Sequence, residues 1–206
     1  MSRTANPDSP TKKKLLAAAE RLMLEKGFTA TTIDDICDKS KLTKGSFFHY
    51  FKNKDDLGLA VLDHTMAGRL KMAQAAPRQR LKDPVARILR AIDGAIETSL
   101  KALKDNGGCL IGTFAQELSY THPAIRDKCS DCLTMQAQGF LADFKEAKKK
   151  YAPHSSIDPE SLAKYLVAIG EGSLIVAKAK QDPEVVRENL RHFKQYIQFL
   201  FGKRTA

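Results

Sequence analysis

The segment from residue 32 to residue 54 constrains the fold more than any other part of this chain. It reads TIDDICDKSKLTKGSFFHYFKNK, a pattern typical of two short helices around a tight turn. Thr32 can cap the first helix through its hydroxyl, and Asp35, three residues later, fits the acid of a capping box. The apolar residues that follow Thr32 recur at i, i+3 and i+4, so this first helix is amphipathic.

The second short helix begins after Thr43, which can cap it in the same way. Its aromatic residues divide between two faces. Phe47 and Phe51 are expected to face the first helix and to belong to the core. The opposite face is left for a partner.

That opposite face has the chemistry of a reader of the DNA major groove. Lys44 and Ser46 can donate to base edges or phosphate oxygens, Gly45 lets the backbone approach closely, and the ring of Phe48 can touch a thymine methyl. His49 lies on the same side. Two helices in this arrangement predict a helix-turn-helix that binds double-stranded DNA.

The flanking residues fit the same design. Asn53 can cap a third helix, with Asp56 three residues later, and the free amides at that helix start, together with Lys54, suit a phosphate. Upstream, residues 11–26 predict an amphipathic helix that ends at Gly27 in a left-handed conformation.

Two stretches, AAAERLMLEKGFTATTIDDIC and KLTKGSFFHYFKNKDDL, together resemble the N-terminal domain of the tetracycline-repressor (TetR) family of bacterial transcription regulators. The resemblance covers roughly the first 60 residues, and its most specific part is the pattern Gly-x-aromatic-aromatic-x-Tyr-Phe-x-x-Lys. It implies that nine residues contact DNA: Thr32, Thr43, Lys44, Gly45, Ser46, Phe48, His49, Tyr50 and Lys54.

Two positions depart from the family pattern. Lys41 stands in the turn where the family usually has glycine, so any left-handed strain falls on a lysine. Phe48 stands where tyrosine is more common, so a phenolic contact to phosphate is absent.

The composition agrees with a nucleic-acid partner without proving one. The 206 residues carry a net charge of +10, which favours a polyanion, but most of this excess lies outside residues 1–56. No long apolar run and no apolar leader is present, so we expect a cytoplasmic protein, nucleoid-associated when it is bound to DNA, without a membrane partner.

The rest of the chain predicts helices only. Asp83-Pro84, Asp158-Pro159 and Asp182-Pro183 each place a capping acid before a proline suited to the first helical turn. With the other breaks they predict helices near 54–76, 84–104, 109–119, 124–151, 159–180 and 184–201. The fold class is therefore all-α with about nine helices: a helix-turn-helix domain over 1–56, and a larger domain over 57–206 for effector binding and dimerisation.

The last two predicted helices carry apolar stripes that suit association with a second copy of the chain. Two such helix pairs would form a four-helix bundle, which in the resembled family makes the homodimer. The alternative is that the stripes are buried within their own domain. The predicted interface residues are Leu162, Leu166, Ile169, Ser173, Phe193 and Ile197.

The resemblance also implies a cavity for a small-molecule effector among the middle helices. Flexible and aromatic side chains there, including Met72, Phe140 and Phe144, could line it, although core packing explains them equally well. The candidate lining residues are Met66, Cys109, Phe114, Glu117, Met135 and Tyr165.

The cysteines offer an alternative mode of sensing. Cys129 and Cys132 stand at i, i+3 on a predicted helix, and Cys109 opens a segment similar to segments in family branches that sense electrophiles or oxidants. A thiol-sensing repressor is therefore conceivable. No cysteine and histidine set has zinc spacing, so we expect no metal, and Cys37 is expected in the core.

The leading hypothesis is a dimeric repressor that binds a near-palindromic operator and is released by a small-molecule effector. The alternative from another class is an all-helical enzyme or adaptor that shares the N-terminal bundle. The chain lacks a nucleophile and base at a recognisable spacing and a phosphate-binding glycine loop, so we predict no catalytic residues and no cofactor.

Overall fold

The structure, a computed structural model, describes residues 9–75 and 80–202. These residues form nine α-helices and no strand, which confirms the predicted all-α class. The helices are α1 (Pro10–Lys26), α2 (Ile33–Ser40), α3 (Lys44–Tyr50), α4 (Lys54–Ala75), α5 (Pro84–Asn106), α6 (Leu110–Leu118), α7 (Pro123–Tyr151), α8 (Pro159–Lys180) and α9 (Glu184–Leu200).

The helix starts lie where the capping acids predict them. The Asp83 carboxylate accepts from the Ala86 amide at 3.1 Å, and the proline that follows it begins α5. Asp158 starts α8 in the same way. The third Asp-Pro pair differs, because Pro183 itself occupies the capping position and α9 begins one residue later.

Gly27 ends α1, but not in the predicted left-handed helical conformation. Its φ is 84° and its ψ is 165°, an extended geometry with positive φ that only glycine adopts readily.

The chain divides into two compact units, and the division does not coincide with the predicted boundary after residue 56. The N-terminal unit comprises the described part of residues 1–70 together with Leu110–Ser130, so it includes α1–α3, most of α4, all of α6 and the start of α7. Its core is formed by Leu15, Ala19, Met23, Phe28, Ile36, Phe47, Leu57, Leu62, Ile111 and Phe114.

The C-terminal unit comprises the described parts of residues 71–109 and 131–206, in which α5, α8 and α9 pack on one another. Polar contacts tie the start of α5 to the end of α7. Arg87 Nε donates to Asp143 Oδ1 at 2.7 Å, and the Tyr151 hydroxyl donates to Asp83. Within the two described stretches, none of the helices is at once long and apolar enough to cross a membrane.

Candidate nucleic-acid interface

The helix-turn-helix is built by local caps that the sequence predicts. Thr32 Oγ1 accepts from the Asp35 amide at 3.1 Å, and Asp35 Oδ2 accepts from the Thr32 amide at 2.7 Å, which completes the capping box of α2. Lys41 takes the left-handed conformation with a φ of 56°, so the turn carries the expected strain on a lysine. Thr43 then caps α3 by accepting from the Ser46 amide at 3.1 Å.

A further contact ties α2 to the end of α1. Lys26 Nζ donates to Asp35 Oδ2 at 2.7 Å. This bond, followed by the hydrogen bonds from the Thr32 hydroxyl and amide, holds the pKa of Asp35 far below the usual range of a carboxyl group. Asp35, the acid of the capping box, is therefore ionised at neutral pH and bound to α1 through Lys26.

The two faces of α3 separate as predicted. Phe47 is fully buried and Phe51 nearly so, whereas the neighbouring Phe48 is 55% exposed. Lys44, Gly45 and His49 are exposed on the outer side with it. This face combines two nitrogen donors, a glycine and an aromatic ring, groups that can donate to base edges and contact a thymine methyl.

Lys44 has a partner that was not predicted from the sequence. Its Nζ lies 2.8 Å from Oδ1 of Asp34 on α2, and both side chains are 62% exposed. The hydrogen bond and the charge of Asp34 raise the pKa of Lys44. Because the pair is open to solvent, Lys44 can leave Asp34 for a phosphate or a base at little cost.

Other residues predicted to contact DNA have side chains that already form polar contacts within the chain. The hydroxyl of Tyr50 lies 2.7 Å from Ser9 Oγ, and Ser46 Oγ lies 3.1 Å from Thr43 Oγ1. Lys54 Nζ donates to three backbone carbonyls, those of Phe28, Thr29 and Thr31. Lys54 therefore has a structural role. The sequence predicted only a contact with phosphate for it.

The six predicted effector-pocket residues are divided between the two units. Met66, Phe114 and Glu117 lie in the N-terminal unit, where Phe114 packs edge-on against Phe28 with ring centroids 5.4 Å apart. The Glu117 carboxylate accepts from the backbone amides of Phe28 and Thr29. In the C-terminal unit, Cys109 is buried, whereas Met135 and Tyr165 are about half exposed. The effector pocket stays a prediction.

A cavity of about 250 Å³ lies in the C-terminal unit between α5 and α9. It is mainly charged and therefore differs from the apolar pocket expected from the sequence. Its lining residues are Arg90, Asp93, Ile96, Glu97, Arg187, Arg191 and Lys194.

The predicted association stripe lies mostly inside the C-terminal unit. Five of its six members are buried there, namely Leu162, Leu166, Ser173, Phe193 and Ile197, and Ile169 is half-buried. They are covered because α5, α8 and α9 pack on one another. The exposed apolar side chains of α8 and α9 are Tyr165, Ile175, Val176, Tyr196 and Phe199.

The four cysteines are all buried, including Cys37 as expected. Cys109, Cys129 and Cys132 are no more than 5% exposed. A thiol reacts with an oxidant when it is deprotonated and accessible to solvent. Burial disfavours the thiolate and also blocks access. The structure therefore does not favour the thiol-sensing alternative.

Comparison with known proteins covers both units of the chain. The family described as "Bacterial regulatory proteins, tetR family" matches residues 15–61, and the "Tetracyclin repressor-like, C-terminal domain" matches residues 84–193. The chain is 25% identical over 183 residues to the HTH-type transcriptional repressor DhaR of Mycobacterium sp. (strain GP1), covering 85% of this chain and 86% of DhaR. It is 30% identical over 186 residues to an uncharacterized HTH-type transcriptional regulator of Lactococcus lactis, covering 87% and 89%.

Solved structures agree with these relatives. The crystal structure of a regulatory protein TetR from Rhodobacter sphaeroides superposes with a TM-score of 0.81 and 26% identity, covering 91% of this chain and 99% of that one. The helix-turn-helix geometry, the two matching domains and these relatives lead to the same result. The chain belongs to the TetR family and is a helix-turn-helix DNA-binding transcriptional regulator.

Proposed function

We propose that this regulator is a repressor that binds a near-palindromic operator as a homodimer and leaves it when a small-molecule effector binds. The observation that carries the proposal is the division of α3. Phe47 anchors the helix in the core, while Lys44, Phe48 and His49 stand exposed on its other side. A recognition helix needs both an anchored face and a free face.

Each exposed group of α3 has a defined chemistry toward DNA. Lys44 donates to a guanine edge or a phosphate, His49 donates to an acceptor, and Phe48 gives an apolar surface for a thymine methyl. Gly45 leaves space, because the nearest atom to a side chain built there would be Thr43 Oγ1 at 3.6 Å. A larger residue at position 45 would separate the helix from the base edges.

The homodimer is proposed to form through the exposed apolar face of α8 and α9, not through the buried stripe expected from the sequence. Tyr165 and Tyr196 adjoin on this face, with ring centroids 6.3 Å apart. Gly172 and Val176 follow Tyr165 at helical spacing, and the glycine permits close approach of a second helix. TetR-family regulators bind operators as dimers, which makes a second copy the expected occupant.

Repression is proposed because relatives such as DhaR are described as repressors. An effector releases the operator only if it prefers the released conformation, since equal affinity for both states shifts nothing. We infer no catalysis and no cofactor, and we place the protein in the cytoplasm, in accordance with its regulator relatives. An enzyme or adaptor that shares the fold would show no sequence-specific affinity for DNA.

The proposal is tested by replacing Lys44 with alanine. Lys44→Ala should weaken binding to a selected operator by about 1–3 kcal/mol, the usual value of one base contact, and should leave the fold unchanged because the side chain is exposed. Lys164→Ala is the matched control, since Lys164 is also an exposed lysine with one carboxylate partner, Glu160. Equal operator affinity for Lys44→Ala and wild type would remove Lys44 from the proposed interface.

A further inference from the structure

The loop between α1 and α2, residues 27–31, is held by a side chain from α6. Glu117 Oε2 accepts from the Phe28 amide at 2.8 Å, and Oε1 accepts from the Thr29 amide at 2.7 Å. One carboxylate thus binds two successive backbone amides from a position 89 residues away in the sequence. Hydrogen bonds to a charged acceptor are stronger than those between neutral groups.

The same loop is held from its carbonyl side by Lys54 of α4. Nζ lies 2.9 Å from the Phe28 carbonyl, 3.2 Å from that of Thr29 and 2.9 Å from that of Thr31. The ammonium also lies 4.6 Å from the centroid of the Phe28 ring. An anion therefore binds the amides and a cation binds the carbonyls of one short loop, an arrangement that we call the loop clamp.

Gly27 makes the anionic half of the loop clamp possible. Its φ of 84° is readily adopted only by glycine, and the amides of the next two residues donate to Glu117 of α6. A Cβ at this position would lie 3.1 Å from Glu117 Oε2, closer than nine in ten Cβ contacts in proteins. The glycine therefore serves both the backbone geometry and the approach of the carboxylate.

The electrostatics of Glu117 agree with this geometry. Burial alone would raise its pKa, but hydrogen bonds from the Thr29 side chain and amide and from the Phe28 amide, with the charge of Lys54, together lower the pKa. The carboxylate is therefore ionised when it holds the loop, and its two oxygens are both used by backbone amides.

We propose that Glu117 is a positioning residue for operator binding: its carboxylate, opposed by Lys54, fixes the loop that leads into the capping box of α2 and so sets the helix-turn-helix for DNA. This assignment replaces the effector contact expected for Glu117 from the sequence. It rests on the proposed operator binding, and it concerns residues that do not lie on the exposed face of α3. The fixed loop ends at Thr32, the cap of α2, and α2 in turn bears Asp34, which holds Lys44.

The first test compares Glu117→Gln with wild type on a duplex selected by the wild-type protein from random sequences. The neutral amide keeps the shape but replaces one acceptor oxygen by a donor group, so one loop amide loses its partner. We expect operator affinity to fall about tenfold, the value of one hydrogen bond to a charged group. The slope of log Kd against log salt should not change, because no phosphate contact is lost. Gln116→Ala, an exposed neighbour on α6, should bind like wild type.

Lys54→Met provides a second arm that separates positioning from direct contact. If Lys54 acts through the loop, affinity falls with an unchanged salt slope, as for Glu117→Gln. If Lys54 neutralises a phosphate, the slope decreases by about one, and that result would overturn the proposed opposition of the two residues. All binding is measured well below the melting temperature of each variant, so that a loss of stability alone cannot change the result.

The second test reads the loop itself, in the full-length protein without DNA. One or both of the amides of Phe28 and Thr29 should exchange with solvent at least about tenfold more slowly in wild type than in Glu117→Gln, because protection requires a hydrogen-bond partner and the glutamine keeps only one acceptor oxygen. Should that variant not fold, wild type alone decides, since rapid exchange of the Thr29 amide on its exposed loop would overturn the clamp. If the wild-type amides are protected but a folded Glu117→Gln protein binds the operator as tightly as wild type does, the inference is also overturned. A wild-type protein that selects no DNA would instead overturn the proposed function.

Discussion

Lys44, the first residue of the recognition helix, is joined to Asp34 of the preceding helix by an ion pair of 2.8 Å across the turn of the helix-turn-helix. This exposed cation of α3 is thus partly neutralised in the free protein. In the proposed interface, Lys44 must either exchange this partner for DNA or share it. Asp34 therefore reduces the attraction between α3 and any phosphate, whatever the base sequence.

Replacing Asp34 with asparagine should strengthen binding to DNA. The side chain keeps its size, the repulsion between a carboxylate and phosphates disappears, and Lys44 is released. We expect several-fold tighter binding, with a larger gain on non-specific than on operator duplexes at low salt. Asp38→Asn, at a second exposed aspartate of α2, controls for the loss of one negative charge and should give a smaller gain, because Asp38 acts on Lys44 through its charge alone. Weaker operator binding by Asp34→Asn would show that the ion pair is needed to hold Lys44 in its reading position.

The adjacent residues Phe47 and Phe48 should behave in opposite ways. Phe47 is fully buried, so Phe47→Ala should lower the free energy of unfolding by about 3–5 kcal/mol. Phe48→Ala should cost at most about 1.5 kcal/mol, the value of its edge-on contact with the Phe47 ring, but should weaken operator binding. Chemical denaturation and binding assays on the two variants separate these effects. A stable Phe48→Ala protein with wild-type affinity would remove the ring from the interface.

The stability of the N-terminal unit should fall in acid. The pKa of Asp35 is lowered, first by its hydrogen bond with Lys26, and the pKa of Glu117 is lowered by the loop amides. A carboxylate with a lowered pKa in the folded state stabilises the protein above its unfolded pKa, and this stabilisation is lost as the pH falls. Unfolding measured between about pH 6 and pH 3 should therefore show a steeper loss for wild type than for Glu117→Gln. Parallel curves would contradict the ionised contact.

The proposed dimer face of α8 and α9 is tested by adding charge at its most exposed aromatic residue. Phe199 is 82% exposed, and Phe199→Glu should convert the dimer to a monomer because a carboxylate cannot be buried there unpaired. Tyr120→Glu, at a fully exposed aromatic residue of the N-terminal unit, should remain a dimer. Sedimentation equilibrium distinguishes the two states. A Phe199→Glu protein that remains dimeric would exclude this face as the dimer interface.

The parts of the structure that the sequence predicts are those set by local chemistry. Thr32 and Asp35 are three residues apart, so their capping box is visible in the sequence, as are the caps at Asp83 and Asp158. The helices and the buried Phe47 follow from the same local rules, whereas the left-handed Lys41 is expected only from the glycine that the resembled family has in this turn.

The parts that it does not predict depend on distant contacts. Glu117 binds a loop 89 residues earlier, and nothing in its neighbourhood in the sequence separates this role from that of an effector ligand. The sequence does not separate the buried stripe of α8 and α9 from the exposed face that we propose for the dimer, because both helices are apolar on more than one side. Leu166 and Tyr165 are adjacent in sequence, and only the position of the neighbouring helices shows that Leu166 is buried and Tyr165 exposed.

Selection of duplexes from a random library by the full-length protein tests the central claim most directly, when the selected sequence and the number of bound chains are both determined. We expect a near-palindrome whose half-sites lie about one helical turn, or a multiple of it, apart, bound by two chains and lost on Lys44→Ala. Enrichment of no sequence, with binding that depends only on salt and duplex length, would contradict the account.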